Sequence, residues 1–284
     1  MSDRLQWEVF VSGQIPIVTD DLAPGATEMK WSPISSTLIS GERDAALVDT
    51  AITVQQNQKI ADWVVSTGKN LTTIYATHGH GDHFFGVNTI QKRFPKARFV
   101  ARREAIDVMR VQASAAVVEA YWKPRFPGQI DSTLVIADDL KGGIFELEGH
   151  QFISIPLGHA DTDHTTCLHV PSIDLAVCGD ALYNDVHLHL GESDADGRKD
   201  WIAALDTIES LRPVAAIAGH KRPGAPDAPD NIEATGKYIR DFDRIASQTK
   251  TARELYDEML AIYPNRVNPA VLWLSAKTVK PGSK

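Results

Sequence analysis

One stretch restricts this chain more than any other. The apolar run over residues 71–77 passes without a spacer into His78-Gly-His-Gly-Asp-His83, after which Phe84, Val87, Ile90 and Phe94 recur at helical spacing. A strand, a polar loop and a helix therefore follow in that order, and the polar residues are delivered to the end of a strand. Three histidines and an aspartate within six residues are poor core material, because burying imidazoles and carboxylates without partners costs free energy. Imidazole nitrogens and carboxylate oxygens suit zinc and related divalent ions, and metal binding accounts for their concentration here.

The rest of the chain repeats the same grammar in two β-rich blocks, each followed by helices, with no linker or low-complexity run between them. In the first block, residues 8–11, 36–39, 45–49 and 97–101 read as strands, with helices over 54–66 and 104–121. The segment Trp122-Lys-Pro-Arg-Phe-Pro-Gly128 holds two prolines and reads as a loop with exposed bulk. In the second block, strands are expected over 143–147, 151–157, 166–170, 175–178 and 214–218, and helices over 199–211 and 231–247. Apolar spacing over 255–262 and 271–274 predicts covering helices from about residue 250. The expected architecture is α/β, two sheets flanked by helices, in one domain over 1–284.

Three more polar residues stand just past expected strands: His159, Asp180 and His220. Side chains placed at strand ends converge in space. His150 lies in a tight turn before a strand and His169 lies mid-strand, so both read as structural.

Composition excludes several classes. The 284 residues are 43% hydrophobic, enough for a sizeable core, yet no run of eighteen apolar residues occurs, which argues against a membrane-spanning enzyme. A formal charge of −8 with scattered lysines and arginines argues against a nucleic-acid partner and for a small neutral or cationic substrate. The N-terminal Met-Ser-Asp-Arg-Leu-Gln-Trp-Glu has no apolar leader pattern, so a cytoplasmic location is expected. Cys167 and Cys178, the only cysteines, read as two buried thiols. The oligomeric state is open, a homodimer included.

On these residues the chain resembles the metallo-β-lactamase superfamily, whose hallmark is a His-x-His-x-Asp-His run followed by spaced His, Asp and His; order and spacing match from about residue 35 to 220. The resemblance implies an αββα sandwich of two mixed β-sheets. It also implies two zinc ions, or another divalent metal such as iron or manganese. His78, His80 and His159 would bind the first metal, Asp82, His83 and His220 the second, and Asp180 would bridge them. Asp180 resembles the branch holding glyoxalase II and the lactonases, and Tyr183, three positions on, stands where bacterial acyl-homoserine lactonases carry a tyrosine facing the substrate carbonyl. Gly158-His159-Ala160-Asp161-Thr162-Asp163 departs from the lactonases' Pro-Gly-His-Thr run.

A metal-bridging hydroxide would be the nucleophile, with Asp82 shuttling the proton and Tyr183 steadying the oxyanion. The expected reaction is the opening of a lactone or lactam. Alternatives are glyoxalase II-like thioester hydrolysis, although residues 241–284 show no obvious basic cluster like the C-terminal one usual in those enzymes, and a mononuclear iron oxygenase of the persulfide dioxygenase kind. Trp31, Phe84, Phe85, Trp122, Phe126, His187 and His189 are candidate pocket walls, and His164 a candidate support or pocket residue.

Overall fold

The structure is a computed structural model that describes residues 4–282. Residues 1–3, the start of the stretch read as lacking a leader, and residues 283–284 lie outside the described residues.

Six strands form the first sheet: β1 (Gln6–Ser12), β2 (Ile34–Ser40), β3 (Asp44–Val48), β4 (Asn70–Tyr75), β5 (Arg98–Ala101) and β6 (Asp138–Asp139), side by side in chain order. The β1–β2 and β2–β3 pairs are antiparallel and the remaining three parallel. The second sheet holds β7 (Ile144–Leu147), β8 (His150–Gly158), β9 (Thr165–Val170), β10 (Leu175–Val177) and β11 (Ala215–Ile217), in the order β11-β10-β9-β8-β7. Only its β10–β11 pair is parallel.

Helices α1 (Val54–Ser66), α2 (Gly81–Phe84), α3 (Val87–Arg93) and α4 (Arg103–Gln112) belong to the first block. Helices α5 (Ala195–Ser210), α6 (Asp230–Gln248), α7 (Ala252–Ile262) and α8 (Pro269–Val279) belong to the second. Helix α1 starts where expected because Thr53 and Gln56 form a capping box.

Period-two alternation sorts side chains into three layers. In β3, Ala46 and Val48 face the other sheet while Ala45 and Leu47 face the helices; in β10, Leu175 and Val177 point between the sheets while Ala176 points outward. The central layer adds Tyr75, Val100, Phe152, Leu168 and Ile217 from both sheets. One outer layer seats α1, α3 and α4 on the first sheet, and the other seats α5 to α8 on the second. This is an αββα sandwich of two mixed sheets. Cys167 on β9 and Cys178 just past β10 are buried thiols. No helix among the described residues is long and apolar enough to cross a membrane.

Two local readings are corrected. The helix expected over 104–121 breaks after Gln112, where Ser114 caps a new helical stretch over 115–125. The segment read as a loop with exposed bulk is its continuation, with Trp122 and Phe126 buried. Pro124 is tolerated because the turn before it is a π turn, in which the Lys123 amide reaches back five residues to Val118, so the proline opens a fresh helical turn and its missing N–H breaks no bond. Two short pairings lacked a sequence signal: a hairpin of Ile15–Ile17 with Met29–Trp31, and a ribbon of Tyr183–Asn184 with His220–Lys221.

Candidate metal centre

The strand ends of both sheets converge at one edge of the sandwich. His78 and His80 follow β4, α2 carries Asp82 and His83, Asp161 follows β8, Asp180 follows β10 and His220 follows β11. Two groups result, His78 with His80, Asp161 and Asp180, and Asp82 with His83 and His220, each with donor atoms within 4.8 Å of one another. Asp180 joins them: its oxygens lie 3.2 Å from His83 Nε2, 3.0 Å from His220 Nε2 and 4.0 Å from His78 Nε2. Asp82 Oδ2 lies 3.5 Å from His220 Nε2 and 3.7 Å from His83 Nε2. A Cβ on Gly219 would come 2.1 Å from Asp180 Oδ1, so this close approach admits only glycine.

The donor set fits divalent cations. His78 Nε2, His83 Nε2, both Asp161 oxygens and Asp180 Oδ1 are buried without a hydrogen-bond partner, a concentration of orphaned groups that an apolar core would not tolerate. His80 Nδ1 lies 3.1 Å from Asp161 Oδ2 without hydrogen-bond alignment. Such spacing suits atoms aimed at a shared centre about 2 Å from each. Burial and the neighbouring His83 hold His78 well below the usual imidazole range, leaving its lone pair free at neutral pH. Burial alone would raise Asp180, but the His220 and His83 imidazoles hold it well below the usual carboxylate range.

Each imidazole is also oriented from behind, as metal-ligating histidines are. His220 Nδ1 donates to the Pro33 carbonyl at 2.8 Å, which turns Nε2 into the site. Thr77 Oγ1 lies 3.0 Å from His78 Nδ1 and donates to Asp49 Oδ2, which lies 3.1 Å from His83 Nδ1. His80 is reversed: Nε2 lies 3.3 Å from Glu192 Oε2, so Nδ1 faces the site. Trp31 Nε1 donates to Asp82 Oδ2 at 2.9 Å. Asp49 and Glu192 escaped sequence reading. Asp49 reads in the sequence as the last residue of an apolar strand, which in fact ends at Val48 and leaves the carboxylate just past it; Glu192 has no such signal.

His159 is not brought into either group. Its Nδ1 lies 2.7 Å from Asp163 Oδ1 and its Nε2 2.8 Å from Ser193 Oγ, so neither nitrogen is free for the centre. The strand-end rule missed by two residues because β8 is irregular: its register with β9 shifts between Pro156 and Gly158, and Gly158 adopts φ +77°. The turn that follows, closed by Ala160 N donating to Thr162 O, buries Asp161 completely and leaves His159 at the rim.

Above the cluster lies a cavity of about 540 Å³. Its floor includes His80, Asp82, Asp161, Asp180, Tyr183 and His220, and its walls come from Ile17, Met29 and Trp31, from Val117, Tyr121 and Trp122, and from Val271 and Leu274 of α8. Of the residues read as pocket walls, Trp31, Trp122 and His189 line it. Phe84, Phe85 and Phe126 do not: they sit in the layer behind, with the Phe85 ring 5.1 Å from Trp122 and the Phe126 ring 5.5 Å from Trp31. His187 is buried beneath α6, its Nδ1 2.8 Å from the Tyr238 hydroxyl, and His164 is an exposed turn residue with φ +63°. Tyr183 donates to Asp180 Oδ2 at 3.2 Å; burial and then the Asp180 carboxylate hold its hydroxyl well above the usual phenol range, so it stays a donor.

A fold of this kind with this constellation defines a class. The family model of the metallo-beta-lactamase superfamily matches residues 29–220, a span that takes in every residue of both groups, and the chain belongs to that superfamily. Among solved structures it is similar to a metallo-beta-lactamase family protein from Thermus thermophilus (20% identity, 95% of this chain and 91% of that one, TM-score 0.63). It is also similar to the mono-zinc form of the FIM-1 metallo-beta-lactamase from Pseudomonas aeruginosa (16% identity, 85% and 93%, TM-score 0.57). A hydroxyacylglutathione hydrolase from Synechococcus sp. is 30% identical over 103 residues, which is 36% of this chain and only 38% of that protein. The chain is thus a hydrolase-like member of its superfamily with a His/Asp site for divalent metal.

Proposed function

We propose that this chain opens a small, neutral cyclic ester or amide, a lactone or lactam with an apolar substituent, at a pair of divalent ions, zinc in the first instance. The observation that carries the reading is a seven-residue His/Asp set, five members of which floor a cavity with largely apolar walls. Divalent metal held there would supply Lewis-acid chemistry, lowering the pKa of a water and polarising a carbonyl. His78, His80, Asp161 and Asp180 would hold one ion; Asp82, His83 and His220, with Asp180 shared, the other.

The chain's own groups set the rest. Asp82 faces the cavity, steadied by Trp31, and is the carboxylate placed to take the proton of the attacking water and return it to the leaving alkoxide or amine. Tyr183 presents a neutral hydroxyl at the floor, where a turn from Asp180 toward the substrate oxygen lets it donate to the developing oxyanion. The walls exclude water and select an apolar substituent.

Thioester hydrolysis is the second reading, favoured by the partial likeness to the Synechococcus hydroxyacylglutathione hydrolase. The cavity argues against it. Of its lining cations, Lys30 is paired with Glu28, and Arg125 stacks 3.8 Å over the Tyr121 ring while donating to the Tyr121 carbonyl. A peptide thioester bearing carboxylates would find both engaged. The test is turnover of purified protein on lactones of short and long acyl substituent, lactams and glutathione thioesters. Lactone or lactam opening that improves with substituent length is expected; thioester cleavage with lactones and lactams untouched overturns the reading.

A further inference from the structure

We infer that Asp161, in place of an imidazole, completes the first metal position with His78 and His80, and that this makes it an oxygen-rich site that takes Mn²⁺ or Fe²⁺ more readily than a three-imidazole site would. The inference rests on the metal-centre reading above, which groups Asp161 with His78 and His80, and adds the exclusion of His159 and the consequence for metal choice.

Asp161 is fully buried, neither of its oxygens has a hydrogen-bond partner, and Oδ2 stands 3.1 Å from His80 Nδ1. A buried carboxylate with no donor on either oxygen is costly unless a cation is its partner. The surrounding turn is built to present it. Gly158 takes a left-handed conformation, Ala160 N closes onto Thr162 O, Thr165 Oγ1 donates to the same carbonyl, and Thr162 Oγ1 donates to Glu192, the residue that also orients His80. His159, the imidazole nearest in sequence, is engaged at both nitrogens and turned away.

With Asp180 shared, each position then has two imidazoles and two carboxylates, and the whole centre has four imidazoles and three carboxylates. Exchanging one imidazole for a carboxylate adds a negative charge and a hard oxygen donor. Oxygen donors suit manganese, and two histidines with one carboxylate suit ferrous iron, whereas added imidazole shifts preference toward zinc.

The full chain, stripped with chelator, is equilibrated with Mn²⁺ alone, Fe²⁺ alone under anaerobic conditions, Zn²⁺ alone, and Mn²⁺ against Zn²⁺, and bound metal is read by elemental analysis and Mn²⁺ electron paramagnetic resonance. Asp161→His should lower Mn²⁺ affinity relative to Zn²⁺ by about tenfold or more, and Asp161→Asn, which keeps the volume, should empty one position. His159→Ala should leave content and preference unchanged. If Asp161→His and Asp161→Asn keep the wild-type content and Mn²⁺:Zn²⁺ preference, or if His159→Ala loses a metal, the inference is overturned. A wild-type chain that binds none of the three ions instead overturns the metal-centre reading itself.

Discussion

The two ends of the sandwich treat buried and bridging carboxylates in opposite ways. At the end away from the cavity, Glu148, in the turn between β7 and β8, reaches across to the β2–β3 turn and accepts from the amides of Glu42, Arg43 and Asp44, each at 2.7 Å. At the cavity end, both Asp161 oxygens and Asp180 Oδ1 have no donor, although both residues are buried and Glu148 is exposed. A satisfied carboxylate ties two sheets together; an unsatisfied one among imidazoles is held ready for a cation. The first kind contributes to stability whether or not metal is present, and the second contributes only through what it binds.

The contrast breaks most visibly at Asp180. Asp180→Ala removes the carboxylate within reach of three imidazoles. We expect loss of at least one metal per chain by elemental analysis and a fall in turnover of orders of magnitude. Unchanged metal content and turnover would remove the shared-ligand account.

A smaller effect is expected at Tyr183. Tyr183→Phe should retain both metals and lower lactone or lactam turnover by about five- to thirtyfold, equivalent to about 1–2 kcal/mol, less than a sole oxyanion donor is worth because the ions share the charge. Unaltered turnover would reduce the tyrosine to packing.

The smallest effect lies at the opposite end and is read in stability. The three amides hold the Glu148 carboxyl at about 2, below its ordinary value. A carboxylate depressed in the folded state stabilises it above the unfolded pKa of about 4.5, and that contribution is lost as pH falls toward 2. Glu148→Gln should therefore lower Tm near neutrality, narrow the gap to wild type between about pH 4.5 and 2, and leave metal content and turnover unchanged. A gap independent of pH, or a lost metal, would show that the two ends are not separable.

How far the sequence revealed this molecule follows from how local each feature is. His78, His80, Asp82 and His83 fall within six residues behind one apolar strand, and Asp180 and His220 each stand just past another, so spacing alone made them candidates, as it did His159. Asp161 was hidden by the β8 irregularity, since a strand pattern counts residues and cannot see a register shift. The cavity walls come from residues near 17–31, 116–122 and 271–274, stretches that meet only in the folded chain, and the π turn that buries Trp122 looked like a proline-broken loop. Phe84 and Phe85 read as pocket walls for their apolar bulk, yet both pack into the core layer behind the cavity.

The most direct test of the central claim is a metal titration of the chelator-stripped wild-type chain followed by equilibrium calorimetry and elemental analysis. The account predicts two divalent ions per chain, bound with a rise in Tm because only the folded state presents both groups. A single ion per chain at saturation, with the Asp82, His83 and His220 group left empty, would contradict it.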